Sequence, residues 1–251
     1  MLVASELDGK VHVFGDGEEY NDSSFSNSGS KNPNRGGPRR LKMIDGYAFM
    51  CGGNRSVAKM VSQKSWFSHT HLLPVYPDVT RGGFDDIDGF NENDLYAVGG
   101  KGDVCRFDGL RWQEVAFPSN AWISTVCCGG DGNVYISGVD GLTFVGRENR
   151  WKKINEGGVN LGFRSMVWYG DRVWCTNDYG VWTIHKNKIA KADLPSEIAI
   201  CAGYLAVGDG VMLLAGANGA ALLQNDKWQS ILICSEMESS LKSGGNLPAT
   251  I

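Results

Sequence analysis

The sequence predicts an all-β chain folded as a six-bladed β-propeller of four-stranded antiparallel blades, and three observations predict it. There are 34 glycines against 7 prolines, with eight Trp, eight Tyr and ten Phe, a composition of short strands and tight turns rather than long helices. Gly102, Gly141, Gly180 and Gly219 stand 39 residues apart. Leu95, Val134, Val173 and Met212, each seven residues earlier, keep the same spacing in strand-like surroundings. A period near 40 residues of short strands is the signature of propeller blades.

In the clearest repeat, residues 86–89 end a first strand and 95–99 form a second. Residues 104–107 form a third, and 112–117 form a fourth that alternates apolar with polar side chains. Asp108-Gly109 joins strands three and four with type I′ hairpin chemistry. Glu148-Asn149, Lys186-Asn187 and Asn225-Asp226 hold the equivalent place. Trp112, Trp151 and Trp228 open fourth strands, with Ile189 substituting in one unit and Trp66 fitting the role earlier. The repeated glycines are expected in structural turns that need φ > 0. Two weaker units precede these four. Residues 48–52 match 95–99 at an offset of 47, and residues 2–5 match 95–98 at an offset of 93. The first unit therefore starts at a second strand. The expectation is that residues after 233 supply its inner strand, so that N- and C-terminal strands share one blade and close the ring. The alternative is a flexible tail over 236–251, since Ser239-Ser240 and Ser243-Gly244-Gly245 make part of that segment tail-like. Residues 1–251 are expected to form one domain, large enough to bury a core without disulfide staples.

Asp94-Leu95-Tyr96-Ala97-Val98-Gly99, Gly102, Asp108-Gly109 and Trp112 resemble the bacterial propeller repeats grouped with BNR/Asp-box-like and YVTN/WD-repeat-like proteins. The resemblance covers roughly residues 42–228, and more weakly 2–20. Thr176-Asn177-Asp178-Tyr179-Gly180-Val181-Trp182 falls one residue short of an Asp-box, and residues 137–144 match it more loosely. The resemblance implies the fold. It leaves open assembly factors, lectin-like modules, glycosidase-type propellers and other binders, because fold does not fix function.

The formal net charge of −4 argues against a generic nucleic-acid binder. No apolar run reaches the ~20 residues of a membrane-spanning helix, so no membrane partner is expected. Met1-Leu2-Val3-Ala4 runs into Ser5-Glu6-Leu7-Asp8 without a basic or long apolar segment. With an odd cysteine count of seven and no CxxC, this fits a reducing cytoplasm. The cysteines read as small core residues. No GxSxG elbow, Walker loop or dinucleotide fingerprint occurs, so the chain is expected to be no enzyme and to carry no cofactor. Asp85, Asp86 and Asp88 lack a nucleophile or base partner by spacing and read as channel-mouth carboxylates.

Two segments exceed what the repeat requires, residues 21–40 and 67–83, and loops in excess of structural need carry function. The first is basic at Lys31, Arg35, Arg39 and Arg40, with Phe25 beside them. The second holds His69-Thr70-His71 and Tyr76 among apolar residues. Two alternating histidines fall short of the ligand count zinc needs, so no metal is expected. Phe25, Arg35, Arg39, Arg40, His69, His71 and Tyr76 are the partner-binding candidates. The expected function is a non-catalytic scaffold that binds a protein, in one version an inhibitor or immunity protein neutralising a bacterial toxin. A basic toxin domain suits the acidic chain, which is expected to be monomeric apart from its partner. The alternative is a carbohydrate-binding or glycosidase-type propeller using Trp168, Tyr169 and Arg164.

Overall fold

The computed structural model describes residues 2–5, 10–15, 18–24, 35–62, 65–74, 82–154 and 158–242. The chain divides into two compact units, Met1–Gly162 and Phe163–Ile251.

The first unit opens with an antiparallel sheet of three strands, β1 (Leu2–Ser5), β2 (Lys10–Gly15) and β3 (Glu18–Ser24). Three four-stranded meanders follow. Blade A is β4 (Pro38–Ile44), β5 (Tyr47–Gly52), β6 (Ser56–Ser62) and β7 (Ser65–Ser68). Blade B is β8 (Asp86–Asn91), β9 (Asp94–Gly99), β10 (Asp103–Phe107) and β11 (Trp112–Glu114). Blade C is β12 (Ile123–Cys128), β13 (Val134–Gly138), β14 (Thr143–Arg147) and β15 (Arg150–Lys153). In the second unit, blade D is β16 (Ser165–Tyr169), β17 (Arg172–Asn177), β18 (Gly180–His185) and β19 (Lys188–Lys191). The short α1 (Ser196–Ala199) leads to blade E, made of β20 (Tyr204–Gly208), β21 (Val211–Gly216), β22 (Gly219–Gln224) and β23 (Lys227–Ile233).

The four-stranded blades therefore number five among the described residues, and the expectation of six is corrected. Two findings overturn it. The β1–β3 sheet has three strands, and the described residues after Ile233, 234–242, do not extend as its missing inner strand. They form a helix, α2 (Cys234–Lys242). Its Glu, Met, Leu and Lys residues are helix formers with no strand-like alternation. Glu236 in its first turn complements the helix dipole.

In blades A to C the second strands carry the most buried sequences. Leu95, Tyr96, Ala97 and Val98 of β9 are fully buried, as is Val134 of β13, because each faces a neighbouring sheet on both sides. Phe49, Cys51 and Val57 of blade A join Ile87, Leu95, Phe107 and Trp112 of blade B in one core. Tyr96 and Val98 join Ile123, Val126 and Ile136 in the core between blades B and C. In the second unit, Val167 and Val181 of blade D pack with Met212, Leu214 and Leu223 of blade E. The seven cysteines are all free, five of them buried.

Gly102 has φ +72°, and a β-carbon there would collide with the carbonyl oxygen of Ser119 in the connection to blade C. Gly141 sits at φ +69° in the equivalent turn of blade C. Gly180 and Gly219 open the third strands of blades D and E. Lys186-Asn187 and Asn225-Asp226 form turns with φ > 0 at both residues, as type I′ hairpins demand. Asp108-Gly109 does not. There the connection is four residues long, and the Asp108 carboxylate accepts from the N–H groups of Leu110 and Arg111 at 3.0 and 2.9 Å.

Candidate partner-binding face

The inner strands of the first unit settle the fate of the basic and acidic clusters. Arg39 and Arg40 do not lie in a free loop. They stand on β4, followed by Lys42, opposite Asp85, Asp86 and Asp88 at the start of β8. Arg39 donates to Asp85 at 2.8 Å. The guanidinium of Arg40 lies 3.2 Å from Asp86, and Lys42 Nζ lies 3.0 Å from Asp88. The carboxylates continue the chain of contacts into blade C. Asp86 accepts from Thr125 Oγ1 at 2.6 Å and from the N–H of Val126 at 3.0 Å, and Asp88 accepts from the N–H of Cys128 at 2.9 Å. Burial pushes the Asp88 carboxyl up, against the pull of Lys42 and the Cys128 N–H. Burial also opposes the charge of Lys42, yet Asp88 and Asp86 outweigh it and raise the ammonium above the ordinary lysine range. Arg39, Arg40 and Lys42 thus form one structural ladder with Asp85, Asp86 and Asp88.

Arg55 adds a second link between blades A and B. It is fully buried and grips Asp103 through two bonds of 2.8 and 2.6 Å, with a third to Glu114 at 2.8 Å. Burial weighs against its charge, but the Asp103 bonds hold the guanidinium above its usual range.

The remaining candidates scatter. Arg35 is half-buried, donates through Nη2 to the carbonyl of Leu73 at 3.3 Å, and has its ionisation lowered by burial and by Arg55. His69 is buried between rings, whereas His71 is exposed. A short 3-10 turn at Thr70–Leu72 breaks the extended geometry that would have aimed both imidazoles to one side. Among the described residues no three ligating side chains gather for a metal. Phe25 and Tyr76 lie outside the described residues. Of the residues considered for sugar binding, Arg164 pairs with Asp178, Tyr169 donates to the carbonyl of Gly210, and Trp168 is half-buried.

What the sequence reading missed is Trp122. It sits in the connection from blade B to blade C with 37% of its surface exposed. Its Nε1 donates to Asp85 Oδ2 at 2.9 Å, and the same carboxylate holds Arg39 through Oδ1. Gly82, at φ +100°, lies beneath the indole, where a β-carbon would press on the ring at 3.0 Å. One carboxylate thus fixes an exposed Trp and an Arg side by side. The carbonyl of Trp122 accepts from the N–H of Val139 at 2.9 Å, and Val139 is 42% exposed. Gly162 packs on Gly138 and Val139, bringing Leu161, 36% exposed, to the same face of the first unit. The signal was available, because Trp122, Leu161 and Ile200 follow the 39-residue period. Ile200, in the second unit, is 43% exposed. An apolar side chain left open at the same repeat position in three connections is not explained by core packing.

No protein-family model matches the chain. Among curated proteins it is 29% identical over 198 residues to the immune protein Tsi7 of Pseudomonas aeruginosa, across 78% of this chain and 65% of that protein. The chain thus spans just under two thirds of that relative's length. Among solved structures it matches PorZ of Porphyromonas gingivalis with a TM-score of 0.59 at 12% identity, over 91% of this chain and 30% of that one. It matches a catalytically inactive virginiamycin B lyase from Staphylococcus aureus, solved with quinupristin, with a TM-score of 0.55 at 15% identity, over 91% and 75%. YCF48 bound to D1 peptide gives a TM-score of 0.55 at 13% identity, over 91% and 76%. The fold is that of a β-propeller. No helix among the described residues is long and apolar enough to cross a membrane.

Proposed function

We propose that this propeller is an immunity protein that neutralises a bacterial toxin by binding it, without catalysis. The similarity to the immune protein Tsi7 is the observation that carries the reading, and the geometry agrees with it. The carboxylates of the inner strands are spent on blade-to-blade links. Burial pushes the thiols of Cys51, Cys105, Cys127 and Cys128 up, which keeps them protonated and poor nucleophiles. The exposed Trp122 and Arg39 are residue types in which interface energy concentrates, already ordered by Asp85, and Val139 and Leu161 add exposed apolar surface. This face is the proposed toxin contact. A basic toxin domain is the partner that the net charge of −4 favours, through faster encounter. The chain acts as a monomer outside that complex, and free thiols suit action in the cytoplasm.

The test is functional. Open reading frames flanking the gene are expressed singly to find a toxic product, then together with this chain. Rescue of growth and co-purification of a one-to-one complex are expected. A toxic neighbour that this chain neither binds nor suppresses would refute the proposal.

A further inference from the structure

His69 is a buried titratable side chain between blades A and B, set among rings and not in an ion pair with any described residue. It is 7% exposed, and its Nδ1 is buried without a hydrogen-bond partner. Aromatic rings enclose it. Phe107 and Phe67 stand edge-on at 5.1 and 5.2 Å between centroids, with Phe49 at 6.3 Å and Trp112 at 6.4 Å. These rings come from β10, β7, β5 and β11, so both blades build the box. The charged groups acting on the imidazole are Lys59 on β6 and His71 in the following turn. Both repel a proton, and Lys59 is itself bound to the Glu92 carboxylate. Burial first, then Lys59 and His71, pushes the His69 imidazole down to about 4.

The segment that starts at His69 is otherwise held by hydrogen bonds and by Leu73, which is buried in the core between blades A and B. The N–H of His69 donates to the carbonyl of Val57 at 2.9 Å, and Thr70 Oγ1 accepts from the N–H of Val57 at 3.1 Å. The carbonyls of Leu73 and Pro74 accept from Arg35 and Arg55, both at 3.3 Å. The imidazole is thus the titratable one of two side chains, with Leu73, that plug this strap into blades A and B.

We propose that His69 is an acid-sensitive latch, whose protonation drives the imidazole out of the aromatic box and frees residues 69–74 from blades A and B. A cation in that box loses water and finds two positive neighbours in place of a carboxylate. At neutral pH the ring is uncharged and the strap stays closed. In acid the opened, protonated form gains population by mass action, since outside the box the ring regains an ordinary histidine affinity for the proton. The inference concerns this junction alone and stands apart from the choice of partner.

Hydrogen exchange on the full chain reads the opening directly, with protection of residues 65–74 compared at pH 7.5 and pH 4.5 after correction for intrinsic exchange. The wild type should lose protection there by more than about tenfold, whereas His69→Phe, which fills the box with a ring that cannot titrate, should not. His71→Gln, which removes the weaker of the two repelling neighbours and keeps the buried imidazole, should still lose protection in acid. An NMR titration of the His69 Cε1–H resonance in the wild type serves if the Phe variant does not fold, with a midpoint well below 6 expected. A midpoint at or above 6.5, or equal loss of protection in wild type and His69→Phe, would overturn the latch.

Discussion

The two units of this chain join their blades at the same register with different chemistry. In the first unit, Asp86 and Asp88 reach backbone N–H groups 40 residues on, and each carboxylate also meets a cation from β4. In the second, Ser165 Oγ accepts from the N–H of Leu205, again 40 residues on. Thr176 Oγ1 donates to the carbonyl of Gly203 at 2.5 Å, and the Tyr169 hydroxyl donates to that of Gly210 at 2.8 Å. Neutral groups do there what charges do in the first unit. The repeat thus fixes where a blade must be tied to the next, and leaves the tie's chemistry free. Charge is the more demanding choice, because a buried carboxylate stripped of one partner is left paying for desolvation.

That asymmetry is open to attack by mutation, and the largest effect is expected at Arg55. Arg55→Ala leaves Asp103 buried and unpaired, and should cost about 3–5 kcal/mol in urea unfolding followed by a first-unit probe. A loss below about 1 kcal/mol would mean that water reaches Asp103 and that the link is no strut. Next comes the direct comparison of Asp86→Ala with Ser165→Ala. The first deprives Thr125 and Val126 of an acceptor and Arg40 of an ion-pair partner, and should cost about 2–3 kcal/mol. The second removes one neutral bond and should cost about 1 kcal/mol. Equal losses would erase the distinction between charged and neutral ties. Gly102→Val should cost about 1–3 kcal/mol, since it must both hold a left-handed φ and meet the Ser119 carbonyl.

A smaller effect separates the units by pH. Lys42 is raised above its unfolded value of 10.5. Its stabilising contribution is therefore complete below that pH and fades as the pH climbs above it. Alkaline titration should weaken the first unit in the wild type, and Lys42→Met should flatten that limb of the stability profile. The Ser165 tie has no such dependence. An unchanged alkaline limb in Lys42→Met would assign it to another group.

The sequence disclosed the blades well because strand length, Gly turns and the 39-residue period are local signals. Leu95, Val134, Val173 and Met212 each fall in a second strand, as their spacing implied. The helix over residues 234–242 was not legible, since their Ser and charge read as a tail or a strand partner until their backbone bonds are seen. The site was obscured for a different reason. Arg39 and Asp85 are 46 residues apart, and nothing local says that two opposite clusters neutralise each other. Trp122 was overlooked because an apolar residue is assigned to the core by default. Comparing it with Leu161 and Ile200 along the repeat would have exposed it.

The most direct measurement is calorimetric titration of the purified toxin partner with wild type, Trp122→Ala and Arg39→Ala, alongside their melting curves. Binding should weaken by about 1–2 kcal/mol or more for Trp122→Ala and by less for Arg39→Ala, with thermal stability nearly unchanged for Trp122→Ala. Full affinity in Trp122→Ala would contradict the assignment of this face to the toxin.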